Sequence, residues 1–122
     1  MSFMFDEASS FNGAIGNWDV SKVTNMESMF SGAGDFNQDI SRWDVSKVTN
    51  MYKMFWLALS FNQDIGNWDV SSVILMDFMF HEATSFNQDL SNWSTTKVRS
   101  CSYFSINSGL TSSQLPTAGS CF

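Results

Sequence analysis

FNQDISRWDVSKVTNM, Phe36–Met51, is followed 25 residues further on by FNQDIGNWDVSSVILM, Phe61–Met76. Written in rows of 25 starting at Phe11, Phe36, Phe61 and Phe86, most of the chain falls into columns. Phe11, Phe36, Phe61 and Phe86 share the first column, and Asn12, Asn37, Asn62 and Asn87 the second. Large apolar residues recur in the same way: Ile15, Ile40, Ile65 and Leu90; Trp18, Trp43, Trp68 and Trp93; Val23, Val48, Val73 and Val98. Met26, Met51 and Met76 give way to Cys101, and Phe30, Phe55 and Phe80 to Ser105, so the fourth row decays after its tryptophan. A period of this length is the mark of stacked repeats.

One such unit cannot stand alone. Ordering its backbone costs roughly 1 to 2 kcal/mol per residue, and it holds only a handful of large apolar side chains. Stacking lets each Phe, Ile, Trp, Val and Met pack on its equivalents above and below in one continuous core. The pattern therefore predicts a short α/β repeat solenoid of about four coils, residues 11–35, 36–60, 61–85 and 86–110, with a partial coil at 1–10 and a tail or cap at 111–122. Asn37–Ile40 reads as a short strand pairing in parallel with its equivalents. Met51, Met54, Phe55 and Ala58, at i, i+3, i+4 and i+7, read as one face of a short helix. Asp44, two residues before Ser46, suits a side-chain-capped turn.

The run WDVSKVTNMYKMFWLA, Trp43–Ala58, resembles the BspA-like leucine-rich-repeat surface proteins of bacteria and some protists. Trp43, Asp44, Ser46, Val48, Thr49, Asn50, Met51, Met54 and Phe55 match that repeat position by position. The resemblance extends to about residue 100. It implies a leucine-rich-repeat-like solenoid, exposure on a cell surface, and non-enzymatic roles in adhesion or protein interaction. It supplies no catalytic residues.

Residues 1–10 align with 26–35, so that Met1, Met4, Phe5 and Ala8 fall on the columns of Met26, Met29, Phe30 and Ala33. Phe3, Met4 and Phe5 thus mark an incomplete coil, expected to be covered by more of the same array or by a second copy docking head to tail into a filament. No apolar run is long enough to span a membrane as a helix. The two cysteines, Cys101 and Cys121, fit a disulfide that pins the tail across the last coil and places the chain in an oxidising compartment. Asn92-Trp93-Ser94 is a glycosylation sequon, which makes Asn92 a candidate acceptor.

A net charge of −6 argues against a phosphate-binding face for nucleic acid and disfavours anionic membranes, leaving partners that are neutral or basic or are held through a divalent ion. His81 stands alone, and no phosphate loop, metal-spaced Cys/His set or nucleophilic triad is present, so no enzyme and no cofactor are expected. Two files of aspartates, Asp39, Asp64 and Asp89, and Asp19, Asp44 and Asp69, would repel along a stack. Backbone N–H donors in each turn are the first candidate to offset this, and bridging calcium a second. The Asn37 and Gln38 columns can run as amide ladders. Contact residues are sought in the columns that vary, where Tyr52, Trp56, Leu57 and Phe78 place large apolar groups on the surface. The expectation is an extracellular or cell-surface module for adhesion or structural assembly, or else one that reads a protein or glycan on its strand face.

Overall fold

In the computed structural model, which describes residues 1–122, the repeat is built almost wholly from turns. The one regular element is a three-residue 3-10 turn, Ser112–Gln114. Strand pairing is reduced to single parallel bridges, Asn25 with Asn50, Asn50 with Leu75, and Leu75 with Ser100. The expected α/β, leucine-rich-repeat-like solenoid of short strands and short helices is therefore overturned.

The arc Met51–Ala58 shows why the helix fails. Met54, Trp56 and Ala58 donate their N–H groups three residues back, to the carbonyls of Met51, Lys53 and Phe55 at 3.1–3.2 Å. The alternate donors, Met51, Lys53, Phe55 and Leu57, point along the stack to Leu75, Asp77, Met79 and His81 of the next coil at 2.9–3.0 Å. Overlapping turns of this kind need left-handed backbone at every fourth residue, and φ is 57° at both Lys53 and Leu57. An α-helix this short would leave nearly all its N–H and C=O groups at its two ends, without partners inside it. The neighbouring coil supplies a partner for each alternate N–H instead. Because Met51, Met54, Phe55 and Ala58 still face inward and are buried, the i, i+3, i+4, i+7 pattern describes the turn arc as well as it would a helix.

The strand at Asn37–Ile40 fails for a different reason: asparagine side chains take the ladder bonds. Asn12 Oδ1 accepts from the Asn37 N–H at 2.9 Å, Asn37 Oδ1 from Asn62, and Asn62 Oδ1 from Asn87. Gln38, Gln63 and Gln88 each donate Nε2 to the same asparagine of the preceding coil, both to its backbone oxygen and to its side chain. Side-chain amides thus replace backbone partners, as short polar side chains are able to do.

Between these two sides runs the core. Rings of the Phe11, Phe36, Phe61 and Phe86 column follow each other at 5.7–5.8 Å and nearly parallel. A second file, Phe5, Phe30, Phe55 and Phe80, runs beside it at 5.4–5.6 Å, and the two files stack within each coil at 3.9–4.3 Å. Trp43, Trp68 and Trp93 are buried, and each indole N–H donates to the carbonyl of Ile15, Ile40 or Ile65 in the preceding coil at 3.0–3.1 Å.

The tail folds back over the fourth repeat. Gln114 accepts the Leu90 N–H on its carbonyl and donates Nε2 to Asn87 Oδ1, taking the role that a next-coil glutamine plays elsewhere. Thr95 Oγ1 donates to the Ala118 carbonyl, and the Phe122 ring meets Phe104 edge-on at 4.9 Å. A disulfide joins Cys101 to Cys121.

Candidate functional site

Turn geometry divides each arc into inward and outward positions. On the second and third coils the outward set is Tyr52, Lys53, Trp56 and Leu57, then Asp77, Phe78, His81 and Glu82. Lys53, Phe78 and Tyr103 share one column, and all three sit at left-handed backbone with φ of 56–57°. Bulky residues are rare in that region, and strain of this sort tends to persist where surrounding contacts impose it.

These side chains converge. Lys53 Nζ lies 4.6 Å from the centre of the Trp56 ring, 5.2 Å from Tyr52 and 5.5 Å from Phe78. Phe78 stacks on Tyr103 at 5.1 Å and meets Tyr52 and His81 edge-on at 6.1 and 5.6 Å. His81 also faces Tyr103 at 6.2 Å, and its Nε2 is 3.9 Å from Glu82 Oε1. Packing and cation–π attraction hold the cluster, since Trp56 Nε1 and His81 Nδ1 make no hydrogen bond. The result is an aromatic surface around one cation, bordered by Asp77 and Glu82.

Of the contact residues expected from sequence, Tyr52, Trp56 and Phe78 come together here. Leu57 is exposed on the same arc but joins none of the ring contacts. Tyr103 was not singled out by sequence, because the fourth row has decayed where it stands. Its column, which carries Ser28, Lys53 and Phe78 in the preceding coils, was the available signal. Asn92 is exposed in a tight turn beside the buried Trp93. Phe3 and Met4 are exposed, whereas Phe5 is tied into the core file through Phe11 and Phe30.

Both aspartate files are engaged locally. Asp44 and Asp69 Oδ1 accept the N–H of Ser46 and Ser71 at 3.0 Å, while Asp39, Asp64 and Asp89 accept from Ser41, Gly66 and Ser91 at 2.9–3.0 Å. The serine hydroxyl and then the serine N–H hold Asp19 and Asp69 below the ordinary carboxylate value of 3.8, outweighing the repulsion of Asp44 on Asp69. No group of three or more His, Cys, Asp or Glu side chains is placed to hold a metal ion. No helix is long and apolar enough to cross a membrane.

A family model described as "Mycoplasma protein of unknown function, DUF285" matches residues 1–115. No curated protein and no solved structure matches the chain.

Proposed function

The chain belongs to the DUF285 family, and we propose that it is a non-catalytic, extracellular repeat module that supports adhesion by docking a neutral or basic protein on the Lys53 patch. One observation carries this reading. Tyr52, Lys53, Trp56, Phe78, His81 and Tyr103 have no counterparts in the repeat consensus, yet three successive coils bring them into a single surface. Core packing does not require them, because the inward columns close the core without them. Half-buried aromatic rings beside a cation, with Tyr103 fully at the surface, are the composition of an interface centre. The net charge of −6 favours a partner of opposite or no charge.

Two further observations support the compartment. A disulfide is at home in oxidising surroundings. The BspA-like pattern of Trp43, Asp44, Ser46 and Val48 to Met51 supports a surface role, although the leucine-rich-repeat backbone does not carry over.

The test uses beads coated with the chain and incubated on animal-cell monolayers. Wild type is compared with the triple variant Tyr52→Ala, Phe78→Ala, Tyr103→Ala, matched for unfolding midpoint. Bead retention several-fold lower for the variant is the expected result. Equal retention, or none by wild type above uncoated beads, rejects the patch as an adhesive surface.

A further inference from the structure

We propose that two clefts on the asparagine side of the stack, away from the Lys53 patch, form one bipartite site for an extended, uncharged, β-linked polysaccharide. The first cleft, of about 270 Å³, is lined by Ala14, Gly16, Asn17, Gln38, Asp39 and Arg42. The second, of about 490 Å³, is lined by Asp64, Gly66, Asn67, Trp68, Asp89 and Asn92. They are the same place in the repeat, two coils apart: Gly16 answers to Gly66, Asn17 to Asn67, Asp39 to Asp89, and Arg42 to Asn92.

A glycine lines each cleft, at a point where two coils are in close contact. A Cβ at Gly16 would lie 2.4 Å from the Asp39 carbonyl oxygen, and one at Gly66 2.6 Å from that of Asp89. The bare backbone lets the next coil close in at this point. In the coil between, the Gly-Asn pair is replaced by Ser41 and Arg42, and no equivalent cleft opens there. The clefts thus coincide with the two coils that carry Gly-Asn, Gly16-Asn17 and Gly66-Asn67.

The lining defines the ligand class. Asp39, Asp64 and Asp89 each spend Oδ1 on a turn N–H, which leaves Oδ2 free to accept a hydroxyl. Gln38 spends Nε2 on Asn12, which leaves Oε1 as an acceptor, and the amides of Asn17, Asn67 and Asn92 offer both donors and acceptors. Mixed polar groups beside apolar surface, which the first cleft presents in full measure and the second at Trp68, suit a sugar, whose hydroxyls and C–H faces need both. The acidic balance excludes a polyanion, and the lack of a three-ligand group excludes a held cation. Both clefts are open on the same side of the stack, so one extended chain can lie across them. Each coil step is 5.7–5.8 Å in the neighbouring phenylalanine file. In a β-1,4-linked hexose chain, like faces recur at every second sugar, close to two such steps.

The experiment is isothermal titration of the full chain with cellobiose and with cellohexaose at neutral pH. A chain that spans both clefts gains from effective concentration, so cellohexaose binds at least about tenfold more tightly than cellobiose. Asn17→Ala and Asn67→Ala, both at exposed positions, each bring cellohexaose down to the cellobiose level. Absence of binding, equal affinity for the two sugars, or cellohexaose affinity unchanged in both variants overturns the proposal. Loss of cellohexaose binding in Tyr103→Ala with both asparagine variants unaffected also overturns it, by placing the sugar on the patch; failure of the bead assay leaves it intact.

Discussion

Replacing Trp68 by alanine tests the stacking register directly, because the same column contains its own control. Trp68 is 4% exposed, its indole N–H donates to the Ile40 carbonyl at 3.1 Å, and its ring lies 6.5 Å from Trp93. Truncation leaves a cavity between coils and removes one of the two N–H donors to the Ile40 carbonyl, which keeps that of Trp43. Large-to-small changes of this type cost about 3 to 5 kcal/mol. Trp18 stands at the equivalent position but is 40% exposed and makes no such bond. Its truncation forfeits only part of a buried side chain, roughly 1 to 2 kcal/mol. Urea titration followed by the fluorescence of the four remaining tryptophans is the suitable assay, since a turn-built chain has little far-ultraviolet signal to lose. With a slope of about 1 to 3 kcal/mol per molar urea, the Trp68 midpoint falls by about 1 to 5 M and the Trp18 midpoint by about half as much or less. Equal losses at the two positions, or a loss below about 1 kcal/mol at Trp68, would refute the register.

Leu57, at φ 57°, occupies the column in which the preceding coil has Gly32. Leu57→Gly is expected to leave stability within about 1 kcal/mol of wild type, relief of strain offsetting lost surface and added chain entropy, whereas the β-branched Leu57→Ile costs about 1 to 2 kcal/mol more; thermal midpoints in the reverse order would contradict the turn assignment. Asp19 and Asp69 have lowered folded-state values, so the folded chain binds fewer protons than the unfolded one below neutrality, and the stability they contribute is present above 3.8 and lost as pH falls below it. Ser71→Ala is expected to move the Asp69 titration, read by carboxyl NMR, back up toward 3.8. Reducing the Cys101–Cys121 bridge, which closes a separation of 20 residues, is expected to cost about 3 kcal/mol and to make the segment around Gln114 the first site of proteolysis; an unchanged cleavage pattern would mean that packing alone holds the tail.

Residue columns made the core legible. Phe36, Ile40, Trp43, Val48, Met51, Met54 and Phe55 all turn inward, because burial depends on which side of the coil a residue occupies and not on the hydrogen-bond pattern that puts it there. Backbone conformation was not legible for the same reason. Met51, Met54, Phe55 and Ala58 carry the spacing of a helical face, and a chain of three-residue turns reproduces it. What decides between them is the fate of alternate N–H groups, and that depends on the neighbouring coil, which no local window contains. Asn37 and Gln38 misled in the opposite direction: their alternation suggested a strand, while their amides were the very groups that made backbone pairing unnecessary. The Cys101–Cys121 pairing was legible from counting, and the aromatic cluster in part, since Tyr52, Trp56 and Phe78 were large residues in variable columns.

The turn backbone also explains where this chain is free to vary. At left-handed Lys53 and Phe78 the inter-coil bond is made by the main chain, the Lys53 N–H meeting the Asp77 carbonyl and the Phe78 N–H that of Ser102. The side chain there points outward and contributes nothing to the ladder. Strain of about 1 to 2 kcal/mol is imposed on any non-glycine residue at such a site, and the rigid neighbours on either side hold it in place. A side chain mounted in this way has little freedom left to lose when a partner arrives, which lowers the ordering cost that weakens most surface contacts. Glycine at these columns would relieve the strain, yet only Gly32 among Ser28, Gly32, Lys53, Leu57, Phe78, Glu82, Tyr103 and Asn107 takes that option. At Lys53, Phe78 and Tyr103 the strained backbone is accompanied by contacts of Phe78 with both neighbours, through the Lys53 ammonium on one side and the Tyr103 ring on the other, which offset part of its cost.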